Sequence, residues 1–155
     1  MDLASLPSVQ TGAKSILSQT SILDILIANA GIMALPRSHP RWVPATIRHQ
    51  PPRTRSSCEA SSLPTLLETS GQPSTDVRVV FLSSVMFSGH PRGGILFPSL
   101  KTPQSFAVAG PWQRYGQAKL ANILYAAELA RRYLDSEILF LSIHHGTINA
   151  ALVSN

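Results

Sequence analysis

With 155 residues, 44% of them apolar and 14% charged, the chain suits one globular domain with a hydrophobic core, and no run approaches the roughly 20 apolar residues of a membrane span. The only cysteine, Cys58, has no internal disulfide partner, which points to a reducing, cytoplasmic setting. The net charge of +5 has one source, Arg37, Arg41, Arg48, Arg53 and Arg55, interleaved with prolines rather than stacking aromatics, so no nucleic-acid partner is expected.

Met1-Asp2-Leu3-Ala4 has neither the basic start nor the apolar segment of a secretory signal, so neither secretion nor membrane insertion is expected. A helix at about Ser8 to Ser18 leads into a first strand, Leu23 to Ala28. Residues 37–62 then lose all periodicity and concentrate Pro, Arg, Ser and Thr, a composition typical of disorder. Val77 to Leu82 reads as a second strand, and Gly89 to Pro111, rich in Gly and Pro, as an irregular loop. The clearest helix runs from about Tyr115 to Leu134, with Leu120, Ile123, Leu124, Ala127, Ala130 and Leu134 marking one buried stripe. A third strand, Ile138 to Ile143, completes a βαβ unit. Uninterrupted apolar strands suit a parallel sheet covered on both faces, so the fold class is α/β, a single doubly wound domain over residues 1–155.

Tyr115 and Lys119 stand four residues apart on the long helix and so share a face. A fixed ammonium near a phenol favours the phenolate, which makes tyrosine a usable acid/base. Ser83-Ser84 follows the second strand, at the sheet end where open α/β folds bind ligands. Adjacent His144 and His145 lack a third ligand at sensible spacing, so no metal site is expected.

Four motifs in order resemble the short-chain dehydrogenase/reductase superfamily. Asp2-Leu3 is similar to its adenine-side D-L, Ile27-Ala28-Asn29-Ala30-Gly31 to its N-N-A-G, and Val80 to Ser84 to its serine strand. Tyr115 to Asn122, Y-G-Q-A-K-L-A-N, resembles the Y-G-Q-S-K-L-A-N of the retinol-dehydrogenase-like and WW-domain-oxidoreductase-like branch, abundant in fungi. The resemblance implies a Rossmann-like sheet and hydride transfer between NAD or NADP and an alcohol/carbonyl pair. By it, Tyr115 is the proton donor/acceptor, Lys119 lowers its pKa and holds the nicotinamide ribose, and Ser84 orients the substrate carbonyl. Asp2, Asn29 and Gly31 join Tyr115 and Lys119 as cofactor-binding positions. It further implies a small-molecule alcohol, ketone or aldehyde as substrate, and a homo-oligomer formed through the Tyr115 helix.

The copy departs from that pattern. The T-G-x-x-x-G-x-G turn that holds the cofactor diphosphate is expected upstream of Asp2, with the βαβ portion to which it belongs, and Thr11-Gly12 has neither its spacing nor its glycines. The chain also ends before the family's substrate-binding loop and final strand. Codons permitted for Arg41 to Thr54, read one nucleotide later, spell D-G-Y and F-G-T-N-H-L-G-H, the family's next helix. Leu63-Pro64-Thr65-Leu66-Leu67 resembles that helix's end, so residues 37–62 read as a frameshifted or mis-spliced stretch. The asparagine that holds a relay water in the family lies in that helix, and its codon is absorbed by Gln50. His144-His145-Gly146 replaces H-P-G, and Ala150 stands where a threonine usually contacts the nicotinamide amide. Two functions follow: an NAD(P)-dependent oxidoreductase as an incomplete copy, or a catalytically inactive pseudoenzyme or mis-predicted gene product that keeps only a protein-interaction surface.

Overall fold

The computed structural model describes residues 6–29, 61–100, 104, 106 and 109–146. Asp2, Gly31, Ala150 and the arginine-rich segment lie outside them. The described elements are α1 (Leu6–Leu17), β1 (Ile25–Ala28), α2 (Leu63–Ser70), β2 (Val77–Leu82), α3 (Gly110–Arg132) and β3 (Ile138–Ile143), with two 3-10 turns, Val85–Gly89 and Phe97–Ser99, between β2 and α3.

All pairing is parallel. The sheet order is β1-β2-β3, with Ile25 opposite Arg78 and Ala28 opposite Phe81 on one side of β2, and Val77 opposite Ile138 and Leu82 opposite Ile143 on the other. Residues alternate between faces of a strand, so Val77, Val79 and Phe81 share a face with Ile138 and Phe140. Against that face pack Leu63 and Leu66 of α2 and Ala126 and Leu129 of α3. Each fully buried Leu or Phe side chain there contributes about 1.5 to 3 kcal/mol of hydrophobic stabilisation. Both crossover helices therefore lie on one side of the sheet, and the core sits between them and β2.

The opposite face differs from the expectation of full cover. Val80 and Leu82 are buried on it, yet Ile25, Ile27, Leu139 and Ile143 are each more than 40% exposed. Apolar strand sequence reports capacity for burial, and the number of covering elements decides how much is used.

The boundaries of α3 also differ. It begins at Gly110, inside the segment expected to be irregular, with Pro111 in its first turn and Ala109 before it in the left-handed region at φ 50°. Proline has no N–H to lose there, and its fixed φ suits a first turn. The expected stripe is rotated as well: Leu124 and Leu134 face solvent, Ala127 is exposed, and the buried face carries Tyr115, Ala118, Lys119, Asn122, Ala126 and Leu129. The helix buries polar groups at its amino end and apolar ones at its carboxyl end. Thr11-Gly12 lies within α1, so it forms no turn of its own.

Candidate active site

The site is assembled where β2 stops. Ser83 N donates to Ile143 O of β3 at 2.8 Å, extending the ladder by one bond, and Ser83 Oγ donates to the Lys119 backbone carbonyl at 3.0 Å. The strand end is thereby tied to the middle of α3. Ser84, extended at φ −158° and ψ 153°, then caps the first 3-10 turn by accepting from Met86 N at 3.3 Å. Its hydroxyl faces the Tyr115 phenol and acts to lower the phenol's pKa.

Gly116 is what lets α3 come so near. A Cβ at that position would stand 2.5 Å from the Met86 carbonyl oxygen and 2.9 Å from both Gly89 C and His90 N. These are backbone atoms, which cannot swing aside, so helix and turn meet backbone to backbone. Tyr115 is thus held next to Ser84 by its neighbour's missing side chain.

Burial raises the Tyr115 phenol above its ordinary value of 10, opposed by the Ser84 hydroxyl. Lys119, 6% exposed, is lowered by burial to about 8. Its Nζ lies 5.4 Å from the centre of the Tyr115 ring and donates to the Leu82 carbonyl at 2.8 Å. The expectation that Lys119 depresses the Tyr115 pKa is therefore not met in this arrangement: the ammonium is engaged at the strand end, and removal from water dominates at the phenol.

Asn29, exposed, follows β1 at the same end of the sheet. The structure thus brings Ser84, Tyr115 and Lys119 together and places Asn29 at the neighbouring strand end. It also buries two polar residues that the sequence reading passed over. Asn122, 4% exposed, donates through Nδ2 to the same Leu82 carbonyl at 2.9 Å. Gln117, 1% exposed, accepts from Leu96 N at 2.6 Å and donates to Gln104 Oε1 at 3.1 Å. The signal for Asn122 was its position three residues after Lys119, on the same helical face. Among the described residues no three His, Cys, Asp or Glu side chains gather as metal ligands, and no helix is long and apolar enough to cross a membrane.

No protein-family model matches the chain. It is 33% identical over 153 residues to an uncharacterized oxidoreductase of Schizosaccharomyces pombe, covering 98% of this chain and 44% of that protein. It is also 33% identical over 161 residues to retinol dehydrogenase 11 of Mus musculus, covering 98% of this chain and 45% of the relative. In fold it is similar to the Pseudomonas aeruginosa RhlG/NADP complex, with a TM-score of 0.73 at 20% identity over 99% of this chain and 54% of that one. The chain spans about half the length of the relatives it matches. The order of the N-A-G, serine-strand and Y-x-x-x-K motifs, the parallel sheet that carries them and these similarities agree, and the chain belongs to the short-chain dehydrogenase/reductase superfamily, of whose Rossmann-like sheet it carries a part.

Proposed function

We infer that the chain carries the substrate half of an NAD(P)-dependent alcohol/carbonyl oxidoreductase site. The observation that supports this most directly is the meeting of Ser84, Tyr115 and Lys119 at the carboxyl end of β2, where Ser84 lowers the phenol's pKa against the effect of burial and the Lys119 Nζ lies 5.4 Å from the centre of the phenol ring. The donor set suits the reacting end of a nicotinamide cofactor: two hydroxyls for a carbonyl oxygen and one ammonium for ribose hydroxyls. Among the described residues, however, no glycine-rich turn at a helix N-terminus offers amides to a diphosphate. Lys119 and Tyr115, with Asn29, Gly31 and Asp2, would hold the cofactor, which supplies or accepts the hydride.

The chain's own residues handle the proton. In reduction Ser84 donates to the substrate carbonyl oxygen and Tyr115 delivers its proton to that oxygen as the alcohol forms; in oxidation the phenolate takes it back. Because burial raises the Tyr115 pKa, the phenol is protonated at neutral pH, the form that reduction requires. Asn122 keeps the Leu82 carbonyl paired when Lys119 leaves it, so the lysine is released without orphaning a buried acceptor. The expected setting is the cytoplasm and the expected substrate a small alcohol, ketone or aldehyde.

Titration of the purified chain with NADH and NADPH, followed by nucleotide fluorescence, tests this reading. Saturable binding that is weakened in Lys119→Ala supports it. Absence of binding at millimolar nucleotide sinks it for this chain. The second reading, an inactive relative acting through an interaction surface, is favoured by the exposure of Leu124 on α3, 51%, which would suit a homo-oligomer formed through that helix.

A further inference from the structure

Two buried side chains of α3 converge on one backbone oxygen. Lys119 Nζ donates to the Leu82 carbonyl at 2.8 Å and Asn122 Nδ2 donates to it at 2.9 Å, and the two residues are 6% and 4% exposed. A carbonyl oxygen has two lone pairs, so the two side chains fill this acceptor. One residue on, Ser83 Oγ donates to the Lys119 backbone carbonyl at 3.0 Å, which ties the helix backbone to the strand end independently of either side chain. The lysine head can therefore leave Leu82 while the junction between β2 and α3 stays closed.

The two donors differ in what else they can do. Asparagine has a short side chain and a neutral amide, whereas lysine has a long flexible stem and an ammonium with three donors. Among the described residues that ammonium makes one hydrogen bond, the one to Leu82, so its other N–H groups are available to a ligand in a place nearly closed to solvent. It also stands 5.4 Å from the centre of the Tyr115 ring. Lys119 thus sits between a fixed backbone acceptor and the phenol, and its position is decided by how strongly that acceptor holds it.

Asn122 weakens the hold. Two donors on one oxygen set their partial positive charges against each other and divide its lone-pair density, so each bond is weaker than it would be alone. Asn122 also removes the penalty for departure, because the Leu82 carbonyl keeps a donor when the ammonium moves away. We propose that Asn122 is a positioning residue which, by sharing the Leu82 carbonyl, keeps the Lys119 ammonium loosely held and so sets how tightly the chain takes the ribose of a nicotinamide nucleotide. The nucleotide rests on the oxidoreductase reading, and the sharing rests on the two hydrogen bonds alone. Leucine at this position would offer no donor and leave Lys119 as the one side chain on Leu82. Aspartate would offer a carboxylate that pairs with the ammonium. Both substitutions tie Lys119 down, by different means.

The experiment compares the wild-type chain with Asn122→Leu and Asn122→Asp. NADPH affinity is read from nucleotide fluorescence, and the motion of the Lys119 ε-methylene from NMR relaxation. In both variants the ε-methylene should become more rigid and NADPH should bind about tenfold more weakly, the scale of one buried hydrogen bond. The two substitutions change the polarity around Lys119 in opposite directions, so a common loss of affinity follows from the tightened lysine rather than from altered charge. Opposite effects on affinity overturn the proposal, because charge then decides binding. An ε-methylene as mobile as in the wild type overturns the sharing. A more rigid lysine with unaltered NADPH affinity overturns the positioning role, as does a lowered urea midpoint with motion and affinity both at wild-type values, the result expected of a purely structural amide. A wild-type chain that binds no NADPH overturns the oxidoreductase reading and the nucleotide role with it, while the motion of Lys119 still decides the sharing. If Asn122→Leu fails to fold, seen as collapse of its NMR dispersion, Asn122→Asp carries the comparison: a rigid lysine with weakened binding supports the proposal, and a wild-type value of either overturns it.

Discussion

At the scale of single residues, Lys119 is the most expensive group to keep. Its pKa falls to about 8 from 10.5, so the folded chain binds its proton less tightly than the unfolded chain does. Stability is then penalised in full below about pH 8, and the penalty is relieved as pH rises from 8 towards 10.5, where the unfolded lysine also loses its proton. Lys119→Met should therefore stabilise the chain by about 1 to 3 kcal/mol at pH 7, with Asn122 still satisfying the Leu82 carbonyl. Urea denaturation at pH 7 and at pH 10.5 checks both the sign and the expected narrowing of the difference at high pH. A lysine whose removal firms the fold is retained for something other than the fold, in keeping with a place in a reaction site. Tyr115, Lys119 and Ser84 were legible in the sequence because a spacing of four on a helix and a hydroxyl at a strand end are local facts. The direction of the Tyr115 shift was not, because it depends on how much water the surrounding elements exclude.

At the scale of elements, α3 is held by two kinds of contact. Its carboxyl half uses Ala126 and Leu129 in the apolar core, and its amino half uses a glycine and buried amides. Gly116→Ala tests the second kind. The added methyl meets the Met86 carbonyl and the Gly89 backbone, so the first 3-10 turn must shift or the helix must lift. The expected cost is about 1 to 3 kcal/mol, the usual range for overpacking, measured as a lowered urea midpoint, together with a shift of the phenol's titration as Ser84 and Tyr115 separate. The three strands and the long helix were readable in advance, because apolar runs and helical period write themselves into short windows. The rotation of the buried face was not. Counting apolar residues favoured Leu124 and Leu134, whereas the fold turns Lys119, Gln117 and Asn122 inward because each finds a backbone or amide partner there.

For the molecule as a whole, the described sheet is three strands wide with both crossover helices on one face. Ile25 and Ile27 lie on β1, which among the described residues is paired only with β2. An exposed apolar edge strand is a template for association. Ile27→Lys should lower concentration-dependent association, seen as a smaller weight-average mass in sedimentation, with little change in the urea midpoint because Ile27 is 59% exposed. The parallel α/β class was legible from strand, helix, strand order. The incomplete cover of the second face was not, since each apolar strand carries the same pattern whether or not a neighbour arrives to bury it.

The all-parallel register has a kinetic consequence. Ile25 must find Arg78, and Val77 must find Ile138, each across a long intervening stretch, so no strand pair can form as a local hairpin. Closing such large loops comes before the contacts that reward it, which places the rate-limiting event in the docking of α3 across β2 and β3. A nascent chain therefore leaves β1 unpaired until β2 has emerged through Leu82, and leaves one edge of β2 unpaired until β3 has emerged through Ile143.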